Sequence, residues 1–179
     1  WQAGLGHTAL ESGLVSVPFA IGNIIGASQS DRLAARLGRA VLAIGVALLT
    51  IGLTALFLIL LLVPTADLTN WTLLGPLLVA GLGSGLFIAP NVRFIVATVD
   101  RSEAGAASGV IGTMQRVGAA AGIAVIGSVF FGNIGPIAGP ADLPAAFGQA
   151  ATPALAVSAA LALAAFLLVF TLPKRVQLH

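Results

Sequence analysis

AVLAIGVALLTIGLTALFLILLLV, residues 40–63, holds no charged side chain and two threonines as its only hydroxyls. As a helix rising ~1.5 Å per residue it is long enough to cross the ~30 Å hydrocarbon core of a bilayer. In hydrocarbon every backbone N–H and C=O must be bonded within the protein, so a spanning segment is either a helix or a strand of a closed barrel. A barrel strand alternates apolar and polar residues, and this run does not. The segment is therefore read as a transmembrane helix.

The rest of the chain has the same character. Its 179 residues are 58% hydrophobic and 8% charged, against roughly 25% charged in soluble domains. Charge-free stretches also cover residues 12–30, 68–92, 117–141 and 143–173. From these and from the Gly and Pro punctuation, five helices are placed at about 9–28, 40–63, 71–93, 104–130 and 150–172. The fold class is an all-α integral membrane protein. Pro18 and Pro90 lie deep in their helices and predict kinks, whereas Pro76 lies in a first turn, where proline is tolerated. The Gly- and Pro-rich stretch 131–149 is read as an irregular connection. The chain starts at Trp1, and no charged leader precedes the apolar segments, so a piece cut from a longer chain is expected. A net charge of +2 without cysteine excludes a nucleic-acid footprint, a disulfide framework and sulfur-ligated metals.

Five spans make the connections alternate between the two faces of the membrane. Residues 29–39, 94–103 and the tail after 172 then share one side, and Arg32, Arg36, Arg39, Arg93, Arg101, Lys174 and Arg175 all fall on or beside it. The opposite side carries no Lys or Arg. Basic connections face the cytoplasm, which puts the N-terminal side outside and the C-terminus inside a plasma (inner) membrane. Charge gathers in SDRLAARLGRA, residues 30–40, because two spans meet there in a cytoplasmic turn. Arg32, Arg36 and Arg39 recur at helical spacing, suited to anionic lipid headgroups or to a neighbouring helix's negative carbonyl end.

Helices in lipid associate through close backbone approach at small residues. Gly22/Gly26, Gly81/Gly85, Gly105/Gly109 and Gly118/Gly122 are GxxxG pairs within or at the ends of spans, and tight packing inside one bundle is expected of them. GLGSGLF, residues 81–87, has the look of a phosphate-binding loop but lies inside an apolar span rather than between a strand and a helix, so no nucleotide cofactor is expected. No HExxH or GxSxG occurs and the acids are scattered singly, so neither catalysis nor a metal centre is expected.

Arg116 stands twelve residues past the start of the fourth span, ~18 Å along its axis and near the midplane. An ionised side chain there costs about 2.5 kcal/mol or more and normally faces a cavity or a partner. Gly105, Gly109, Gly112 and Arg116 share one small-sided face. Gln115, Asn23 and Asn91 are further polar groups at membrane depth, where a helix-to-helix hydrogen bond is the ordinary role. Glu11 sits at the outer mouth of the first span.

RLAARLGR at residues 32–39, with Gly26 before it, resembles the Gly-and-Arg loop signature of the major facilitator superfamily in its second-half copy. WQAGLGHTALESGL resembles the outer loop and next helix start of that superfamily's fourteen-span drug:proton antiporters. GLGSGLFIAPNVRFIVATVDRSEAGAASGVIGTMQRVGAAAGIAVIG resembles their third-from-last and second-from-last helices. By this resemblance the five spans form most of the C-terminal six-helix domain of a transporter, with the N-terminal helices missing. It implies a proton-coupled exporter of drug-like small molecules, with Asp31, Arg32, Arg36, Gly38 and Arg39 in a cytoplasmic gate loop and Arg116, Gln115, Asn23, Asn91 and Glu11 as cavity candidates. The signature's usual Asp before its second Arg is Ala35 here, and Asp31, one turn earlier, is the alternative charge. A carrier for a sugar, amino acid or anion, or a non-transporting scaffold, remains open. Because the chain has no cysteine of its own, topology is directly testable: a cysteine at Arg36 should react with an impermeant maleimide only after cells are opened, and one at Asp142 in intact cells.

Overall fold

The computed structural model describes residues 2–64, 67–96 and 103–171. Among these residues all regular structure is helical: α1 (Gln2–Leu5), α2 (Ala9–Leu37), α3 (Ala40–Leu62), α4 (Asn70–Val96), α5 (Ala104–Gly132) and α6 (Leu143–Val169), with a 3-10 turn at Pro140–Asp142 before α6. The five long helices are each long and apolar enough to cross a membrane. Arg101, Lys174 and Arg175, used above to assign sidedness, lie outside the described residues.

Local chemistry sets the helix ends. The α2 start is a capping box: Glu11 N–H donates to Thr8 Oγ1 at 3.3 Å, while Thr8 N–H donates to Glu11 Oε2 at 2.9 Å. Two amide donors that the helix leaves without partners are thereby satisfied. The α2 end differs from the sequence reading, which stops the helix at 28 and opens a loop over 29–39. The helix instead runs on to Leu37, and the whole connection is the turn at Gly38 and Arg39. Residues 31–37 contain no helix breaker, so the ladder continues until Gly38, whose φ of 57° closes the end with its N–H on Ala34 O at 2.9 Å. That conformation suits glycine alone.

The connection read as 131–149 is likewise shorter. α5 ends at Gly132 and α6 already begins at Leu143, seven residues before the expected 150. Asp142 Oδ2 accepts from Ala138 N and Gly139 N at 3.1 Å each, which folds the segment into a compact turn. Pro144 then occupies the first turn of α6, where its missing N–H leaves no bond unmade.

The bundle is held through α4, which lies between α2 and α3. A Cβ on Gly81 would sit 2.1 Å from Phe19 O and one on Gly85 2.2 Å from Asn23 O; reciprocally, Gly22 and Gly26 face Leu78 O and Leu82 O at 2.3 and 2.4 Å. Positions rise together along both helices, so α2 and α4 run parallel. On the other flank of α4, a Cβ on Gly83 would meet Gly45 O at 2.4 Å, and one on Gly52 would meet Ala80 N at 2.7 Å. There the numbers run oppositely, so α3 is antiparallel. The run read as GLGSGLF is thus a two-sided packing strip, Gly81 and Gly85 toward α2 and Gly83 toward α3.

At the end of the bundle that carries the Gly38 turn, Val41, Leu42, Val46, Leu86 and Val169 form a buried cluster, joined by Leu33, Phe87, Phe94 and Phe166. α6 lies along α3, and α5 lies mainly against α6, where Phe130 and Phe147 have ring centroids 5.9 Å apart. α5 has no buried residue. The order around the molecule is α2, α4, α3, α6, α5, and the side between α2 and α5 is open.

The glycine crossing predicts opposite responses to one added methyl. Gly81→Ala forces backbone apart and is expected to lower stability by about 1–3 kcal/mol. Gly13→Ala, in open space on the same α2, is expected to be neutral or stabilising by up to ~1 kcal/mol through helix propensity. Thermal or denaturant unfolding of the detergent-solubilised protein reads both.

Candidate functional site

Two polar links tie α2 to α4, both next to the glycine strip. The Asn23 amide Nδ2 donates to Ser84 Oγ at 3.1 Å. Asn23 follows Gly22 and Ser84 precedes Gly85, so the close backbone approach brings these two short side chains within reach. An unpaired amide in hydrocarbon is costly, and a bond across the crossing removes that penalty. Asn23 thus has its partner in a neighbouring helix, the ordinary role weighed for it above. Ser84 was not singled out in the sequence, because a serine within a glycine run carries no signal of its partner.

The second link is an ion pair between Arg93 and Asp31. It joins the two helices at the Gly38 end of the bundle, about two turns of α2 beyond Asn23. Asp31 was named as a gate residue, whereas Arg93 entered the sequence reading only as a topology marker; residues 62 apart share no local pattern, so only the parallel crossing reveals the pair. Both side chains are more than half exposed, 67% for Arg93 and 56% for Asp31. An ion pair in such surroundings contributes about 0–1 kcal/mol and is screened by salt. It can therefore be made and broken readily, unlike the glycine crossing beside it.

Arg32 and Arg36 lie exposed on the last turns of α2, and Arg39, half-buried, opens α3 after the Gly38 turn. The three are carried by helix and tight turn rather than by an open loop. They sit beside the Asp31–Arg93 pair at the end of the bundle opposite Glu11. Glu11 itself is engaged in the α2 capping box, and its Oε2 lies 3.5 Å from His7 Nδ1. Those bonds give this carboxylate a structural task at the helix mouth.

Arg116 is exposed at the middle of α5, and no acid among the described residues pairs with it. Gly105, Gly109 and Gly112 lie on its face, with nothing within 4 Å of where a Cβ would be. Gly118 and Gly122 are equally open, so within this chain these two GxxxG pairs of α5 pack against nothing. The apolar side chains Val110, Met114 and Val117 occupy a different side of the same helix and are well exposed. α5 is consequently two-sided, with an aliphatic flank suited to lipid and a small-residue flank that presents one guanidinium. Gln115, next to Arg116, is exposed as well, and Asn91 is half-buried just after the fully buried Pro90 of α4. The structure thus gathers Asn23, Ser84, Asp31 and Arg93 along the α2–α4 seam and leaves Arg116 and Gln115 on the open side. Among the described residues no cluster of three or more His, Asp or Glu is arranged to hold a metal ion.

The seam links are separable by a double-mutant cycle. Asn23→Ala and Ser84→Ala are expected to couple by about 0.6 kcal/mol, the average for interhelical hydrogen bonds in membranes and below a maximum near 1.7. Coupling of Asp31→Asn with Arg93→Gln is expected to fade as salt is raised, whereas the Asn23–Ser84 coupling is expected to be salt-independent.

Similarity to known proteins agrees with this architecture. The chain is 38% identical over 144 residues to the probable actinorhodin transporter of Streptomyces coelicolor, a match covering 75% of this chain and 23% of that protein. It is 31% identical over 126 residues to the uncharacterized transporter YebQ of Escherichia coli, covering 70% of this chain and 26% of the relative. A shorter match, 36% over 78 residues, relates it to the cephamycin export protein CmcT of Amycolatopsis lactamdurans, covering 44% of this chain and 16% of that protein. The chain therefore spans about a quarter or less of the length of these relatives. The model of the Major Facilitator Superfamily matches residues 1–178, and with five membrane-crossing helices packed as described the chain belongs to that superfamily.

Proposed function

We propose that the chain is the C-terminal part of a plasma-membrane secondary transporter that exports drug-like or lipophilic small molecules by alternating access. The observation that carries this reading is the 38% identity to a probable actinorhodin transporter, joined by the match to a cephamycin export protein. In this reading the basic Gly38 end faces the cytoplasm, and the missing N-terminal helices complete the substrate path.

The geometry supports a division of labour. α2, α3 and α4, locked through backbone contact, move as one body. The Asp31–Arg93 pair, exposed and weak, lies at the inner mouth, where two halves of a transporter approach and part. With Arg32, Arg36, Gly38 and Arg39 it forms the inner gate of the proposal. Arg116, on the open face of α5, borders the transport path, where it holds an anionic group of the substrate or a carboxylate of the missing helices. Proton coupling requires a carboxylate that titrates inside the membrane. The described residues offer none at midplane depth, because Glu11 caps a helix mouth and Asp31 pairs at the inner end. The coupling acid is accordingly assigned to the N-terminal helices.

The second reading, a carrier of anions, rests on the same Arg116. Full-length transporter in proteoliposomes distinguishes the two. The exporter reading expects efflux of a lipophilic dye to follow an imposed pH gradient, with Arg116→Ala reducing it tenfold or more and Arg116→Lys retaining a measurable part. Wild-type protein that moves no dye but carries anions, with that anion flux abolished by Arg116→Ala, would favour the carrier. No flux of either kind under a pH gradient would leave only the scaffold.

A further inference from the structure

We infer that the short helix α1 is a releasable strap. Seated on α6, it ties the start of α2 to the α5–α6 pair at the end of the bundle opposite Gly38, and it lifts about Gly6 during transport. The inference rests on the transporter reading and adds a moving part to it.

α1 joins two parts of the bundle that otherwise pack on different neighbours. α2 packs on α4, whereas α6 packs on α3 and α5. α1 leads into α2 through residues 6–8, yet it lies mainly on α6. Its seat is Gly4, buried against the first turns of α6, where an added Cβ would stand 2.8 Å from Phe147 Cβ and 3.2 Å from Phe147 Cγ. Only a residue without a side chain brings the α1 backbone so close to that ring. Phe147 in turn meets Phe130 of α5, which has Phe131 edge-on with centroids 5.3 Å apart. Contact at Gly4 thus reaches the ends of both α6 and α5, and links them to the body that α2 forms with α4.

The strap has a firm root and a weak seat. Its root is the α2 capping box, in which Thr8 and Glu11 each donate a backbone N–H to the other's side chain. Between root and strap stands Gly6, with φ of 72° and nothing within 4 Å of where a Cβ would be. Its N–H closes α1 on Gln2 O at 3.0 Å. Glycine changes φ and ψ at little steric cost, and the open space leaves that swing unobstructed. The seat buries Gly4 alone among the four residues of α1, with Gln2 and Ala3 exposed. A segment that buries so little opens at low free-energy cost, whereas α2 and α4 are held by backbone contact over several turns. When this end of the bundle opens in alternating access, the seat of α1 is the contact that yields first.

The chain has no cysteine, so the seat is directly testable. Gly4→Cys and Phe147→Cys are introduced together into the full-length transporter, with any cysteines elsewhere replaced, and solute flux is followed in proteoliposomes. A disulfide needs Cβ atoms about 3.5–4.5 Å apart, a small outward shift from the seated position. Oxidation is expected to join residues 4 and 147 and to lower flux roughly fivefold or more, because a step of the cycle is blocked. Reduction should restore it, and oxidant should leave each single variant unchanged. A second variant leaves the seat itself intact: Leu5→Cys, half-buried on α1, should react faster with an impermeant maleimide during turnover than at rest. A folded double variant that forms no disulfide, a disulfide that leaves flux unchanged, or equal labelling of Leu5→Cys in the two conditions would each overturn the strap while wild-type flux upholds the transporter. Wild-type protein that moves no solute would overturn both.

Discussion

The structure depends on how closely the backbone of α4 approaches its two neighbours. In a bilayer the lipid tails are as apolar as the side chains, so burying leucine gains little, and helices adhere through dispersion contacts and the occasional hydrogen bond. Both weaken quickly with distance. Gly81 and Gly85 on one side of α4 and Gly83 on the other bring backbone against backbone, to separations that a single methyl group would forbid. The Asn23–Ser84 bond and the Asp31–Arg93 pair are consequences of that approach, since side chains so short, or so far apart in sequence, meet only because the helices already touch.

α5 is built from similar residues and behaves differently. Its glycines meet nothing, its arginine has no acid beside it among the described residues, and it is attached mainly through α6. The same composition that welds α2 to α4 here leaves a surface exposed. The matched part of this chain covers 16–26% of these curated relatives, and in the proposed transporter the small-sided α5 face with its one cation borders the transport path.

The two ends of the bundle divide rigidity from openness. At the Gly38 end a tight turn, a buried aliphatic and aromatic cluster and an exposed ion pair coexist, so that a firmly packed body carries a weak polar contact on its rim. At the other end the last turn of α3 and the first turns of α6 line a shallow open groove, with Gln149 among its residues. Packing that is uneven along the membrane normal is what allows one rigid unit to present different surfaces at its two faces.

The number of spans, their helical nature and the alternation of basic connections follow from the sequence alone, because hydrocarbon permits so few backbone solutions and because charge-free stretches of such length have one reading. The superfamily resemblance, resting on RLAARLGR and on the run from Gly81 to Gly127, is likewise a property of the string of residues. Helix ends were less legible: residues 29–37 look like a loop because they are charged, yet charge on a helix that emerges from the membrane does not break its ladder, and only the positive φ of Gly38 does. Which glycines serve as contacts was not legible at all. Gly22/Gly26 and Gly105/Gly109 are the same pattern in sequence, and the difference lies in whether another helix stands opposite. Partnership across the bundle, whether Asn23 with Ser84 or Asp31 with Arg93, is decided by the crossing of whole helices, a relation between distant segments that local periodicity does not encode.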